Sequence, residues 1–373
     1  MQLVTSVTGG ALIEVNEGLF EGCVLLASFG GIAVINPSRI VLAGTGCLAP
    51  DNSVLPPTVV VTDDQLEVLA STTILNASLA NPPTPLDDGT VLVPTTEIVN
   101  PTTAFWNYNV FDPQLGDIEP AAGLQFTGAD FVSSSPTALN VPGHGVFMAR
   151  STAEVALLEA DFDATLWTDD LGVGGELATV RARILGRNGT IFVGLDSDGC
   201  PGASEHCIIK YDGEGSREWT RPVHTYMYSG ALASDGADGV FYGIATTTGF
   251  FVAHLDEEGD ELSSELLTFE APPSSFVRVA ADGQGGVVLS LAIGTYDASG
   301  GGHISGDESV LLRLDSQLQE IWRVDGFGPG QSRGVALAYD GNGGLLIAGI
   351  RAGSTPPDLF AMEGQVWLGR ANL

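Results

Sequence analysis

The chain is 373 residues long and carries 46 acidic against 14 basic side chains, a formal net charge of −32. All of the basic residues are arginine except Lys210, so there is no dense cationic patch to neutralise a run of phosphates or anionic headgroups, which argues against nucleic acid and acidic membranes as partners. A hydrophobic content of 44% sets the chain apart from disordered sequences, and its length allows one large domain or two to three ordinary ones.

At the amino end, Met1-Gln2-Leu3-Val4-Thr5-Ser6 has neither a basic n-region nor an apolar h-region, so no signal peptide is visible there. Residues 2–7 have the look of a short strand. The longest uncharged apolar stretch, 22–38, is interrupted by Gly30-Gly31 and Asn36-Pro37 and falls short of the roughly 20 residues a spanning helix needs, so no membrane span is expected. Within it, 22–27 and 32–36 are expected as two successive strands. Residues 63–70 come nearest to a helical stripe but fit a turn and a strand equally well. Residues 89–93 and 108–112 follow as strands, the second ending in Asp112.

From residue 145 onward the pattern repeats openly. Apolar runs at 145–149, 189–195, 239–245, 286–292 and 344–350 each open on a glycine. Most follow a turn such as Asp235-Gly236-Ala237-Asp238, Asp282-Gly283-Gln284-Gly285 or Asp340-Gly341-Asn342-Gly343. Turns of this kind admit positive φ and join antiparallel strands tightly. After a variable loop comes a second apolar run ending in an aspartate: Asp161, Asp212, Asp256 or Asp315. A third strand then carries Trp167, Trp219, Leu262 or Trp322, and the run before each glycine turn (228–233, 276–280, 335–339) makes a fourth. Gly145 to Gly189 is 44 residues and Gly286 to Gly344 is 58. Four antiparallel strands at this period make the unit of a β-propeller blade; solenoid coils repeat at roughly 20 to 30 residues.

Extended to the amino end, the glycine anchors fall at 22, 89, 145, 189, 239, 286 and 344. The expected fold is therefore all-β, one domain over 1–373, a seven-bladed β-propeller, with six or eight blades as alternatives. A long insertion near 51–57 or 81–85 absorbs the wide first spacing. The last copy, 366–373, lacks an outermost strand, and 2–7 is expected to supply it, closing the ring with the two ends in one sheet and no free edge there.

The unit of Asp-Gly-x-Gly-Gly, an apolar strand, a loop, a strand ending in Leu-Asp, then Gly and Trp resembles the β-propeller repeat families of bacterial secreted and surface proteins and, more loosely, quinoprotein-type propellers. The resemblance is strong over 145–373 and weak over 1–144. It implies blades and an extracellular or periplasmic setting. Tryptophan stands at the equivalent place only at Trp167, Trp219 and Trp322, which departs from a full quinoprotein-like tryptophan ring.

Motifs that carry chemistry are sparse. Gly330-Gln331-Ser332-Arg333-Gly334 fits the spacing of a nucleophile elbow, but that elbow needs a helix after the serine, and here a strand follows. There is no His-Glu-x-x-His, Lys210-Tyr211 is not a phosphate loop, and the glycines at 172–175 open no helix. His144, His224 and His303 fall in loops, where convergence at one rim is geometrically open. Cys200 and Cys207 enclose a loop of disulfide size, with two free thiols as the alternative; a zinc site with Asp198 and His206 is disfavoured by the spacing. Calcium is the ion that Asp196-Ser197-Asp198-Gly199 and the 256–260 loop suit best, through Asp196 and Asp198, although aspartate in a glycine-rich turn needs no ion. No catalytic residue and no cofactor is assigned. The favoured function is a non-enzymatic binding scaffold presenting loops to a protein or glycan partner; the alternative is a propeller hydrolase or lyase with an acidic, calcium-assisted site at the channel mouth.

Overall fold

The computed structural model describes residues 12–17, 25–36, 38–48, 54–75, 77–100, 103–114, 117–128, 138–149, 154–171, 179–196, 200–201, 206–223, 231–246, 249–269, 273–297, 303–326, 332–352 and 364–373. They form seven antiparallel sheets, named here blades 1 to 7, with strands a to d from the axis outward. Blade 1 is Leu25–Asn36, Arg39–Leu48, Thr58–Thr62 and Val68–Thr73. Blade 2 has a split strand a, Leu79–Ala80 and Thr84–Pro85, then Val91–Asn100, Thr103–Asp112 and Asp117–Gly128. Blade 3 is Ala138–Val141, Gly145–Ala149, Glu154–Leu158 and Thr165–Asp170. Blade 4 is Thr179–Leu185, Ile191–Asp196, His206–Tyr211 and Arg217–Pro222. Blade 5 is Ala231–Ser234, Val240–Ala245, Phe250–Leu255 and Glu261–Leu267. Blade 6 is Pro273–Ala281, Val287–Asp297, His303–Leu314 and Glu320–Asp325. Blade 7 is Ser332–Tyr339, Gly344–Ala352 and Gly364–Asn372, with Leu12–Glu17 as its strand d.

The a strands touch one another in cyclic order, that of blade 7 meeting that of blade 1, so the ring is closed. The protein is thus a seven-bladed all-β propeller, and no α-helix occurs among the described residues. Closure comes from pairing of the two chain ends, Leu12 opposite Ala371 and Glu17 opposite Trp367.

Burial explains why the middle strands lack a polar-apolar alternation. Strands b and c lie between two neighbouring blades, so both faces are covered and runs such as Val240–Ala245 and His206–Tyr211 are buried throughout. The d strands, where blades splay apart, alternate between exposed and half-buried, as in Thr165–Asp170. Seven apolar clusters result, one in each gap between blades. The gap between blades 7 and 1 holds Ile40, Leu42, Leu66, Leu346 and Leu368, and that between blades 5 and 6 holds Phe241, Phe250, Leu289, Leu312 and Leu318. The other five gaps are filled in the same way. Burying one such leucine contributes about 1.5–3 kcal/mol.

Three expectations need correction. In blade 1, 22–27 and 32–36 are not strands b and c: Leu25–Asn36 is the single long strand a, and b and c are Arg39–Leu48 and Thr58–Thr62. The glycine pair that suggested a break lies at a register shift between Phe29 and Gly31, where the strand continues. The closing strand is Leu12–Glu17 rather than 2–7, which lies outside the described residues. Finally, the residue at the tryptophan place of blade 5 is Ser263, opposite His254, as Trp219 is opposite Lys210 and Trp322 opposite Arg313; Leu262 points outward and is 54% exposed.

Candidate binding face

The antiparallel order of each blade puts its a-to-b and c-to-d turns on one side of the wheel and its b-to-c and d-to-a connections on the other. The first side is a face of short, hydrogen-bonded turns. Asp63, Asp212, Asp256 and Asp315, each just past a c strand, accept at Oδ1 from the N–H groups two and four residues on, at 2.7–3.1 Å. Asp235, Asp282 and Asp340 do the same in the a-to-b turns, also at 2.7–3.1 Å. In each c-to-d turn the fourth residue has positive φ: Leu66 at 63°, Gly215 at 89°, Gly259 at 79° and Leu318 at 60°. This is the three-residue hairpin with a bulge, closed by a carboxylate. The repeated aspartates therefore have a structural role, and the 256–260 loop, one of the two calcium candidates, spends Asp256 on its own backbone while Asp260 pairs with Arg221 at 2.9 Å.

The second carboxylate oxygen of the a-to-b aspartates reaches strand c. Asp282 Oδ2 accepts from Arg313 Nε at 3.0 Å and Nη2 at 2.8 Å, and Asp340 Oδ2 accepts from Arg370 Nε at 3.0 Å and Nη2 at 2.6 Å. In blade 5 the same place is taken by His254, whose Nε2 is 3.1 Å from Asp235 Oδ2 and whose Nδ1 is 3.2 Å from Ser316 O of blade 6. Blade 4 has no aspartate in its a-to-b turn. Its cation, Lys210, donates instead to Glu218 and to Glu257 O of blade 5, each at 2.8 Å. Burial raises the Asp340 pKa, but the N–H groups of Asn342 and Gly344 and the Arg370 guanidinium outweigh it and hold the carboxyl below its ordinary value. At Asp235, burial is likewise outweighed, by His254 and the N–H groups of Ala237 and Gly239.

The opposite side carries the connections of variable length: two residues between strands b and c of blade 2, nine in blade 4, eleven in blade 7. Cys200 and Cys207 are joined as a disulfide across the blade 4 connection, with Cα atoms 5.7 Å apart. Asp196 ends the b strand opposite His206, and Asp198 lies outside the described residues, as does His224. His144 sits in the blade 3 turn on the compact face, packed between Gly189 and Gly213 of blade 4, whereas His303 opens the c strand of blade 6 on the opposite side. These two do not converge. Among the described residues no group of three or more His, Cys, Asp or Glu side chains is placed to hold a metal. Ser332 begins the a strand of blade 7, with no helix after it.

This series of basic side chains was not among the sequence-based candidates, although the sequence marks it. Lys210, His254 and Arg313 each precede the strand-ending aspartate by two residues, and Arg370 precedes Asn372 in the same way.

Comparison with solved structures supports the architecture. The chain is similar to the structure titled "Crystal Structure Of The C-Terminal WD40 Domain Of Sif2", at 10% identity and TM-score 0.51, covering 96% of this chain and 98% of that one. It is also similar to the "Structure of Dos1 propeller", at 10% identity and TM-score 0.52, with 94% of each chain covered. No protein-family model matches the sequence, and no curated protein matches it. At such identity the likeness is one of fold, and the chain shares the seven-bladed propeller architecture of WD40 domains.

Proposed function

We propose that residues 1–373 act as one propeller domain, a non-enzymatic scaffold that grips a protein partner with the face formed by the b-to-c and d-to-a connections. The observation that carries this reading is the asymmetry of the two sides. One is built of short turns whose carboxylates are committed to their own backbone, and the other holds every connection of widely varying length. Variable loops on a rigid frame are where recognition concentrates. The likeness to WD40-type propellers is in keeping with a protein ligand. A setting outside the cytosol, as in secreted and surface propellers, is supported by the disulfide in one of these connections. Calcium held by Asp196 and Asp198 would stiffen the same connection; a calcium-dependent rise in Tm that Asp198→Asn abolishes is the measurement for it.

The test of the scaffold is a photo-crosslinking amino acid placed at Pro201 or Thr246 on the loop side and at Asp64 or Glu214 on the turn side. Crosslinks to a protein partner from the first pair only are expected. Crosslinks from the turn side alone would overturn the reading, and specific capture on a glycan array with no protein crosslink would replace the protein partner by a glycan.

A further inference from the structure

The distribution of charge about the axis differs from that of the rest of the molecule. With 46 acidic residues in the chain, none lies on any of the a strands. Those strands instead carry Arg181 and Arg183 in blade 4, Arg278 in blade 6 and Arg333 in blade 7. The innermost layer, a sleeve of backbone around the axis, thus bears four arginines and no acidic residue inside an acidic protein.

Arg183 shows what the sleeve offers. Its Nε donates to the carbonyl oxygen of Ala138 at 2.8 Å, and the same oxygen accepts from Thr84 Oγ1 at 2.9 Å. Ala138 opens the a strand of blade 3, so the guanidinium reaches across the innermost layer to a carbonyl that Thr84 of blade 2 also engages. Burial lowers the pKa of the guanidinium to about 10, opposed only by its attraction to Tyr108. Among the described residues no carboxylate pairs with it, in contrast to Arg313 and Arg370. A guanidinium has five N–H donors, and among the described residues one is used here. Of the a-to-b turn aspartates near the channel, Asp282 and Asp340 are each paired with an arginine, which offsets their opposing field. More distant carboxylates are screened beyond roughly 8 Å at physiological salt.

We propose that the central channel is an oxyanion site, in which Arg183, on an innermost layer that carries no acidic residue, takes a carboxylate or phosphate group. The fork of the guanidinium suits bidentate contact with either.

The experiment uses the whole chain and three probes, inorganic phosphate, citrate and a hexaglutamate peptide, each titrated calorimetrically at constant ionic strength set with sodium chloride. At least one probe is expected to bind the wild-type protein, with affinity about tenfold or more weaker in Arg183→Gln and unchanged in Arg217→Gln, whose side chain is on the turn side. Arg183→Lys, which keeps the charge and loses the fork, should fall between. Binding of phosphate without peptide assigns the site to a free oxyanion, and binding of peptide assigns it to carboxylates presented by a chain. No probe binding to wild type, or equal binding by folded Arg183→Gln, overturns the proposal; the wild-type titration decides even if the variant fails to fold.

Discussion

The aspartates that open the a-to-b turns each tie the turn to strand c. Asp282 is almost wholly buried and holds two backbone N–H groups with one oxygen and Arg313 with the other. Removing it leaves a buried guanidinium without its partner, so Asp282→Ala should cost about 3–5 kcal/mol in urea unfolding. Combining it with Arg313→Met should recover part of that loss but not the share owed to the backbone N–H groups, a non-additivity that a double-mutant cycle reads directly. Asp340 makes the same contacts with Arg370, Asp235 makes them with His254 in place of arginine, and both have folded-state pKa values below the ordinary 3.8. Their contribution is therefore present above pH 3.8 and is lost as pH falls through the lower folded-state values. Urea midpoints should drop between about pH 4 and pH 2, and Asp340→Asn should be less stable at pH 7 and show a shallower drop. The aspartates were visible in the sequence as turn residues, but their second oxygen was not. The cation two positions before the next aspartate becomes meaningful only once strand c lies beside the turn.

Between blades, the outer d strand and the next c-to-d turn are matched in volume. Trp167 and Trp219 face Gly215 and Gly259 of the following blade; a Cβ at Gly215 would run into the Trp167 indole, and one at Gly259 would press on Arg221 and the Trp219 indole. Where the tryptophan place is Ser263, the following turn carries Leu318, which is 3% exposed, in place of glycine. The same exchange occurs where Glu14 stands opposite Arg370 and Leu66 follows. The gap between blades is thus filled from one side or the other, and leucine accepts positive φ, costing about 1–2 kcal/mol, because the turn requires it. Gly215→Leu should destabilise by about 2–4 kcal/mol, from overpacking together with the backbone term. Ser263→Trp alone should cost about 1–3 kcal/mol and Leu318→Gly about 2 kcal/mol, but the double variant should cost less than their sum by at least about 1 kcal/mol in thermal or urea unfolding. The alternation of Asp-x-x-Gly with Asp-x-x-Leu is in the sequence, yet its partner is a residue some 50 positions earlier, related only through the ring.

At the scale of the molecule, closure and charge govern behaviour. Strand Leu12–Glu17 covers the last edge of blade 7. Deleting residues 1–17 uncovers the ladder groups of Gly364–Asn372, and the expected result is a lower Tm together with self-association in sedimentation. The charge of −32 is self-repelling. Raising sodium chloride from 0.02 to 0.5 M at pH 8 shortens the screening length several-fold and should raise Tm; a flat or falling response would show that the acidic turns are already compensated locally.

The period, the blade unit and closure of the ring by the chain ends are legible in the residues alone. These follow from glycine-rich turns and apolar runs that are local and repeat. The sequence also marked six of the seven second-strand starts correctly, and missed the first because a glycine pair inside Leu25–Asn36 looks locally like a turn. Which residues meet in space emerges once the sheets are stacked: the basic side chain beside each a-to-b carboxylate, the leucine for each absent tryptophan, and the Arg183 guanidinium against the Ala138 carbonyl of the neighbouring sheet. Those choices depend on neighbours tens of residues away, and no local propensity or spacing records them until the sheets are stacked around a common centre.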